Sequence, residues 1–278
     1  MKKYFDLLRV NHWLKNLYIF IPIFFNKDLS LLNLIHLFKI FLLFCFSASI
    51  IYIINDLIDY KLDKKNPWKK NRPIASDLFS KKNAILIALL LFIILLFLAF
   101  VFQTSRFVIF LICSYLLINI VYSLVLKKIF ILNYFVLLSF FYIRLIAGTI
   151  DNEIQLSNWL TIFILTSSGI LIIGKKISDY DYSYKENYNK KVLLNLLNLI
   201  TISQLVIYII FVNTEYAIMK YGNEFKYSIF FVILGTIRYL FLIRKNIVTS
   251  DQIKLFTNDK ILITTCFSYL IYLFLIFY

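Results

Sequence analysis

The chain has 278 residues, 61% of them hydrophobic, a formal net charge of +15 and a mean hydropathy of +0.81. Soluble domains average about 45–50% apolar residues, so this is an integral membrane composition and an ordinary soluble enzyme is excluded. The charge does not argue for a nucleic-acid partner. The bases collect between apolar segments, where they would meet the anionic headgroups of a lipid bilayer.

The first residues, MKKYFDLLRVNHWLKN, lack both an uninterrupted apolar core and a small-residue cleavage site, so no cleaved signal peptide is expected. Apolar stretches then recur at 14–26, 34–54, 83–102, 106–126, 129–150, 158–177, 192–213, 225–243 and 259–278. Most approach the ~20 residues with which a helix rising ~1.5 Å per residue crosses ~30 Å of hydrocarbon. The first is short and carries Pro22. The expectation is an all-α polytopic membrane protein of about nine spans. No soluble domain or low-complexity tail interrupts the pattern, so residues 1–278 read as a single membrane domain. Most Lys and Arg fall in the N-terminal segment and in the connections after spans two, four, six and eight. The opposite connections hold only Lys27, Arg106, Lys220 and Lys226. That asymmetry predicts a cytoplasmic N-terminus and an external C-terminus. It also collects the polar stretches 55–76, 174–191 and 246–260 on the cytoplasmic face.

The informative stretch is Asn55 to Ser76, NDLIDYKLDKKNPWKKNRPIAS. If the preceding helix continues, about 100° per residue places Asp56, Asp59 and Asp63 within an arc of about 60°, with Asn55 about 40° from Asp59. Carboxylates crowded in this way need a cation between them. Hard oxygen donors with no His or Cys nearby point to Mg²⁺, with Asn55, Asp56, Asp59 and Asp63 as its candidate ligands. A basic run follows, including Lys70 and Arg72. Acids for a metal followed by bases for anions suit a phosphorylated, metal-bound substrate. The positive-inside rule accounts for most of the lysines, but not for three acids on one helical face. With five glycines in the whole chain, a glycine-rich phosphate loop is excluded.

A second polar cluster, GKKISDYDYSYKENYNKK, runs from Gly174 to Lys191. Lys175 and Asp179, four residues apart, share a helical face, and Lys176 points about 100° away. Alone this reads as a helix-end ion pair; paired with the first cluster it reads as a basic second wall of one pocket. Three basic residues fall inside spans, where charge is costly. Arg144 is deep and is expected to face a polar cavity. Arg238 sits nearer a span end and can snorkel, and the third is Lys39. Lys15 either anchors on headgroups or reaches the cavity. His12 and His36 are isolated and are not read as ligands. Cys45, Cys113 and Cys266 lie in apolar runs without metal spacing and read as small buried hydrophobes.

NDLIDYKLD resembles the Asn-Asp-x-x-Asp-x-x-x-Asp signature of the UbiA-type intramembrane prenyltransferases. The resemblance implies a ring of about nine helices around a central cavity open sideways to the bilayer. LRVNHWLKN with Pro22, NPWKKNRPIAS, YIRLIAG, GKKISD, IRYLFL and Asn258-Asp259 are similar, more narrowly, to the decaprenyl-phosphate phosphoribosyltransferase branch. This implies Mg²⁺-dependent transfer of phosphoribosyl from 5-phosphoribosyl diphosphate to a polyprenyl phosphate. Other UbiA enzymes carry a second aspartate-rich motif where this chain has Lys175-Lys176-x-x-Asp179, and the phosphoribosyl branch tends to have Lys-Arg and Glu there. The expected catalytic set is Asp56, Asp59, Asp63, Lys175 and Asp179. Lys15, Asn55, Lys70, Arg72, Arg144, Lys175 and Lys176 are the expected substrate contacts. The alternative within the same family is prenyl transfer from a polyprenyl diphosphate to an aromatic acceptor. A non-enzymatic lipid or solute transporter is the reading from another class. It predicts that Mg²⁺ chelation and Asp59→Asn leave function intact.

Overall fold

In a computed structural model, residues 2–67, 69–149, 154, 156–180, 189–245 and 258–278 are described. They are helical apart from connections, and they group into two compact units, Met1–Gln155 and Leu156–Tyr278. Eight helical segments among the described residues are long and apolar enough to cross a membrane.

The first unit begins with α1 (Lys2–Leu8), a 3₁₀ helix over Val10–Phe20, and α2 (Ile21–Asn26), in whose first turn Pro22 sits. A proline is harmless there because its missing N–H has no partner to lose. This segment corresponds to the short stretch expected at 14–26. At ~2.0 Å per residue for the 3₁₀ part and ~1.5 Å for α2, the two pieces have a summed rise of about 31 Å. It is not among the eight helices long and apolar enough to cross a membrane, so the expected count of nine is approximate.

Next come α3 (Leu31–Lys65), α4 (Lys81–Val101), α5 (Arg106–Leu124) and α6 (Phe130–Ala147). Helices α3, α4 and α5 start on serines whose hydroxyls accept from a backbone N–H three residues on: Ser30, Ser80 and Ser105. Such caps satisfy donors that a helix start leaves open. Helix α3 packs against α1, the 3₁₀ helix, α4 and α5, and contributes Leu37, Ile40, Leu43, Phe44 and Ile51 to the core. It continues 11 residues past the expected end of its apolar stretch. At 35 residues it is about 52 Å long, so its last turns outrun the hydrocarbon. Helix α4 buries only Ala84, Leu91 and Leu95, while Leu89, Leu90, Ile93 and Phe97 are exposed. A helix apolar all round with one narrow buried stripe is built to face lipid.

The second unit holds α7 (Asn158–Asp179), α8 (Lys190–Val212), the short α9 (Glu215–Tyr221), α10 (Ile229–Arg244) and α11 (Lys260–Phe277). Tyr208, Phe211, Tyr221 and Phe225 form an aromatic cluster with edge-on contacts. The Tyr208 hydroxyl hydrogen-bonds Ser228 (2.7 Å) and Tyr269 (3.0 Å). Gly174 lets α7 approach α10: a Cβ there would come within 2.6 Å of Ile243 Cδ1. Of the cysteines, all free, only Cys45 is buried. Cys113 and Cys266 face outward, a correction to the expectation, because an apolar run in a membrane helix has two apolar destinations, core and lipid.

Candidate functional site

Helix α3 carries the acidic motif unbroken, as the spacing argument required. Asp56 and Asp63, two turns apart, are 2% and 3% exposed; Asp59 and Asn55 are half-buried. Side-chain cations pair with these carboxylates. Arg72 Nη1 donates to Asp63 (2.7 Å) and to Asp56 (3.1 Å), bridging the two buried carboxylates. Arg9 Nη2 donates to the same Asp56 oxygen at 2.5 Å, with its guanidinium 4.9 Å from the Tyr52 ring centre. Lys127 Nζ pairs with Asp59. Three carboxylates thus meet three fixed cations.

Each cation is set in place by local structure. Residues 69–80 wind back over the end of α3 in turns closed by Arg72 N–H to Lys69 O and Ser76 N–H to Arg72 O. Ile74 and Phe79 are buried there, and Phe79 meets Tyr4 edge-on. Asp77, at φ 60°, ties the connection back through Tyr60 (2.8 Å) and Lys64 (2.6 Å). The hydrogen bond from Lys64 holds the Asp77 carboxyl below its usual range. Arg9 sits between α1 and the 3₁₀ helix at φ 49°, a left-handed conformation costly for a side-chain-bearing residue. Its charge pairing with Asp56 and its contact with Tyr52 offset that cost. Lys127 lies in the tight turn between α5 and α6, where Asn133 Nδ2 donates to its carbonyl at 3.1 Å.

The other expected site residues are distributed as follows. Arg144 is 4% exposed. It donates from Nε to Asn16 Oδ1 (2.6 Å), from Nη1 to the Phe140 carbonyl (2.6 Å) and from Nη2 to the Tyr115 hydroxyl (3.0 Å). Its neighbours are neutral, and among the described residues no carboxylate pairs with it. Lys15 is half-buried in the 3₁₀ helix, and Lys70 is exposed. In the second unit, α7 extends through Lys175 (exposed), Lys176 (8% exposed) and Asp179 (half-buried). Arg238 forks onto Asp259, Nε to Oδ1 at 3.1 Å and Nη2 to Oδ2 at 2.7 Å, which matches a cation snorkelling to a span end. Trp68, residues 181–188 and residues 246–257, parts of the polar stretches singled out above, lie outside the described residues.

Two members of the cluster escaped the sequence reading. Lys127 looked like one more loop base, and Arg9 stood in a quoted stretch from which Lys15 was chosen instead. Neither is close in sequence to the acid it serves, so no spacing rule reveals it.

The donor set fits a hard divalent ion in kind: three carboxylates and an amide on one helical face. Among the described residues, no three His, Cys, Asp or Glu side chains converge into a closed metal cage. A divalent ion would therefore compete with Arg72, Arg9 and Lys127 for these oxygens.

The family model for the UbiA prenyltransferase family matches residues 19–258. The chain belongs to this family. Among curated relatives of this UbiA member is the decaprenyl-phosphate phosphoribosyltransferase of Mycolicibacterium smegmatis, 30% identical over 139 residues, 50% of this chain and 43% of that protein. Another is nodulation protein NoeC of Azorhizobium caulinodans, 31% identical over 145 residues, 52% of this chain and 47% of that protein. The chain thus spans about half the length of the curated relatives it matches. The UbiA fold itself extends further: a UbiA homolog from Archaeoglobus fulgidus, solved bound to GPP and Mg²⁺, matches with TM-score 0.69 over 98% of this chain and 96% of that one at 16% identity.

Proposed function

We propose that this UbiA-family protein transfers phosphoribosyl from 5-phosphoribosyl diphosphate to a polyprenyl phosphate, releasing diphosphate. The observation that carries the reading is the charge-balanced cluster at the end of α3, where buried carboxylates are matched by Arg72, Arg9 and Lys127. The motif matches in the sequence and the names of the curated relatives support the choice of donor and acceptor.

Asn55, Asp56, Asp59 and Asp63 are the residues that would hold Mg²⁺. Bound there, the ion supplies neutralising charge for the departing diphosphate. With those carboxylates holding a divalent cation, Arg72, Arg9 and Lys127 would be available to donate their N–H groups to phosphate oxygens of the donor. The same cations thus have two duties, balancing the acids at rest and gripping the anion in turnover. The acceptor phosphate is already anionic at neutral pH, so no general base is required to create the nucleophile. Lys15, Lys70, Arg144, Lys175 and Lys176 remain candidates for seating phosphate, with Asp179 in a supporting role. The reading takes residues 1–278 as one membrane domain in the cell membrane, with the reaction on the cytoplasmic face. Within the first unit, Arg9, the end of α3 and the α5–α6 turn come together, as they must if successive helices alternate direction across the bilayer.

The test is incubation of purified full-length protein with Mg²⁺, a polyprenyl phosphate and 5-phosphoribosyl diphosphate labelled in the ribose. Label entering an organic-extractable lipid is the expected result. The second reading draws support from the fold neighbour solved with GPP. Its outcome would be no ribose transfer and passage of a prenyl group from its diphosphate to a phenolic acid, and that would overturn the proposal.

A further inference from the structure

The first unit has a groove of about 600 Å³ at the end of α3 away from Asp56. Leu34, Phe38 and Leu42, on successive turns of α3, form one wall with Ile35, and Phe20 closes another. Phe38 and Ile35 are about half exposed, so the groove opens outward on the apolar surface of the unit. One cation interrupts this lining. Lys39 lies eight residues inside α3, yet its Nζ reaches the Phe102 ring at the C-terminal end of α4, 5.8 Å from the centroid. That is a snorkelling lysine, its stem in the groove and its charge at the level where α4 ends.

Among the described residues Lys39 forms no salt bridge. The acid nearest to it in sequence, Asp28, is engaged elsewhere, accepting from Asn33 Nδ2 at 2.6 Å and from Ser30 N–H. A basic group at the rim of an apolar groove, against an aromatic face, is complementary to an anion with a hydrocarbon tail.

We infer that this groove is a binding site for an anionic phospholipid, its phosphate on Lys39 and an acyl chain along Leu34, Phe38 and Leu42. Charge complementarity selects an anionic headgroup over a zwitterionic one. The apolar lining selects a lipid over free phosphate, which would leave the groove empty. The site is distinct from the acidic cluster: Lys39 and Asp56 are 17 residues apart on one helix, about 25 Å. The inference is therefore independent of the reaction proposed above.

The experiment uses purified full-length protein in mixed micelles, with phosphatidylglycerol or phosphatidylcholine carrying a photoactivatable acyl chain, and maps crosslinks by peptide mass spectrometry. Phosphatidylglycerol should label Leu34–Leu42 about tenfold more than phosphatidylcholine. Lys39→Met should abolish that preference, Lys39→Arg should keep it, and excess inorganic phosphate should not compete. Ile35→Trp, which fills the groove and leaves the charge, should remove labelling by both lipids. Equal labelling by the two lipids in the wild type overturns the proposal, as does a wild-type preference in Lys39→Met. Full labelling in Ile35→Trp, or displacement by inorganic phosphate, does the same.

Discussion

Arg72 illustrates what one residue does in this chain. It spans two buried carboxylates two turns apart on α3, so its removal leaves two charges facing each other with a single partner, Arg9, on one of them. Breaking a buried ion pair from one side is costly because the remaining charge keeps its desolvation penalty. Arg72 is about a quarter exposed, so water recovers part of this. Arg72→Ala should destabilise by about 2 kcal/mol, measured as a lowered thermal midpoint in detergent. Adding Asp63→Asn should restore much of the loss, since the amide removes the orphaned charge. Turnover should behave differently: the single variant loses transfer activity if Arg72 also grips the donor, and the double variant loses it as well because Asp63 is a proposed metal ligand. Arg72→Lys, which keeps a cation beside the acids, should retain more stability than Arg72→Ala, and a larger loss of turnover than of stability in that variant separates the two duties.

Close approach and capping decide behaviour at the scale of elements. The end of α6 meets the N-terminal 3₁₀ helix at Gly148, where a Cβ would collide with the backbone of Ile19, its carbonyl carbon 2.9 Å away. A backbone cannot move aside as a flexible side chain does. Gly148→Ala should therefore destabilise by about 1–3 kcal/mol, the usual cost of overpacking, again read from the melting midpoint. In the second unit Asp259 caps α11, accepting from Leu262 N–H at 2.8 Å while it holds Arg238. The Arg238 hydrogen bond holds the Asp259 carboxyl below its ordinary value of 3.8. A carboxyl with a depressed folded-state pKa stabilises fully above its unfolded value and loses that contribution as pH falls through the folded one. The wild type should accordingly lose melting temperature below about pH 4, and Asp259→Asn should show a shallower loss over the same window. Identical acid profiles for the two proteins would remove Asp259 as a contributor.

At the scale of the whole molecule, lipid replaces water as the outer solvent, and outward faces such as that of α4 carry no polar stripe. Ionised acids collect at the end of the long α3, while the polar groups within the helices, such as Arg144 and Tyr208, are met by neutral hydrogen-bond partners. Under the proposed reaction, chelating divalent ions should abolish transfer of labelled ribose, and Mg²⁺ should restore it. Asp59→Asn should lower turnover at least 100-fold, because Lys127 cannot substitute for a divalent charge on the leaving group. A transporter would be indifferent to both changes, so full function after chelation would return that reading to first place.

The all-helical, many-span architecture was legible in the chain because the hydrocarbon thickness is a fixed ruler and apolar run length is a local property, although eight spans rather than nine are found among the described residues and α3 outruns its apolar stretch. The carboxylate face of α3 was legible for a similar reason, since helical periodicity converts spacing directly into direction. What neutralises that face was not. Arg9 reaches Asp56 across 47 residues and Lys127 reaches Asp59 across 68, while Arg144 finds Asn16 across 128. Such pairs depend on how helices pack, and packing leaves no periodic trace in the residues that it brings together. The sequence by itself thus determined a membrane protein with an acidic helix face in need of cations. Only the tertiary structure decided which distant side chains supply them, because charge pairing follows proximity in space.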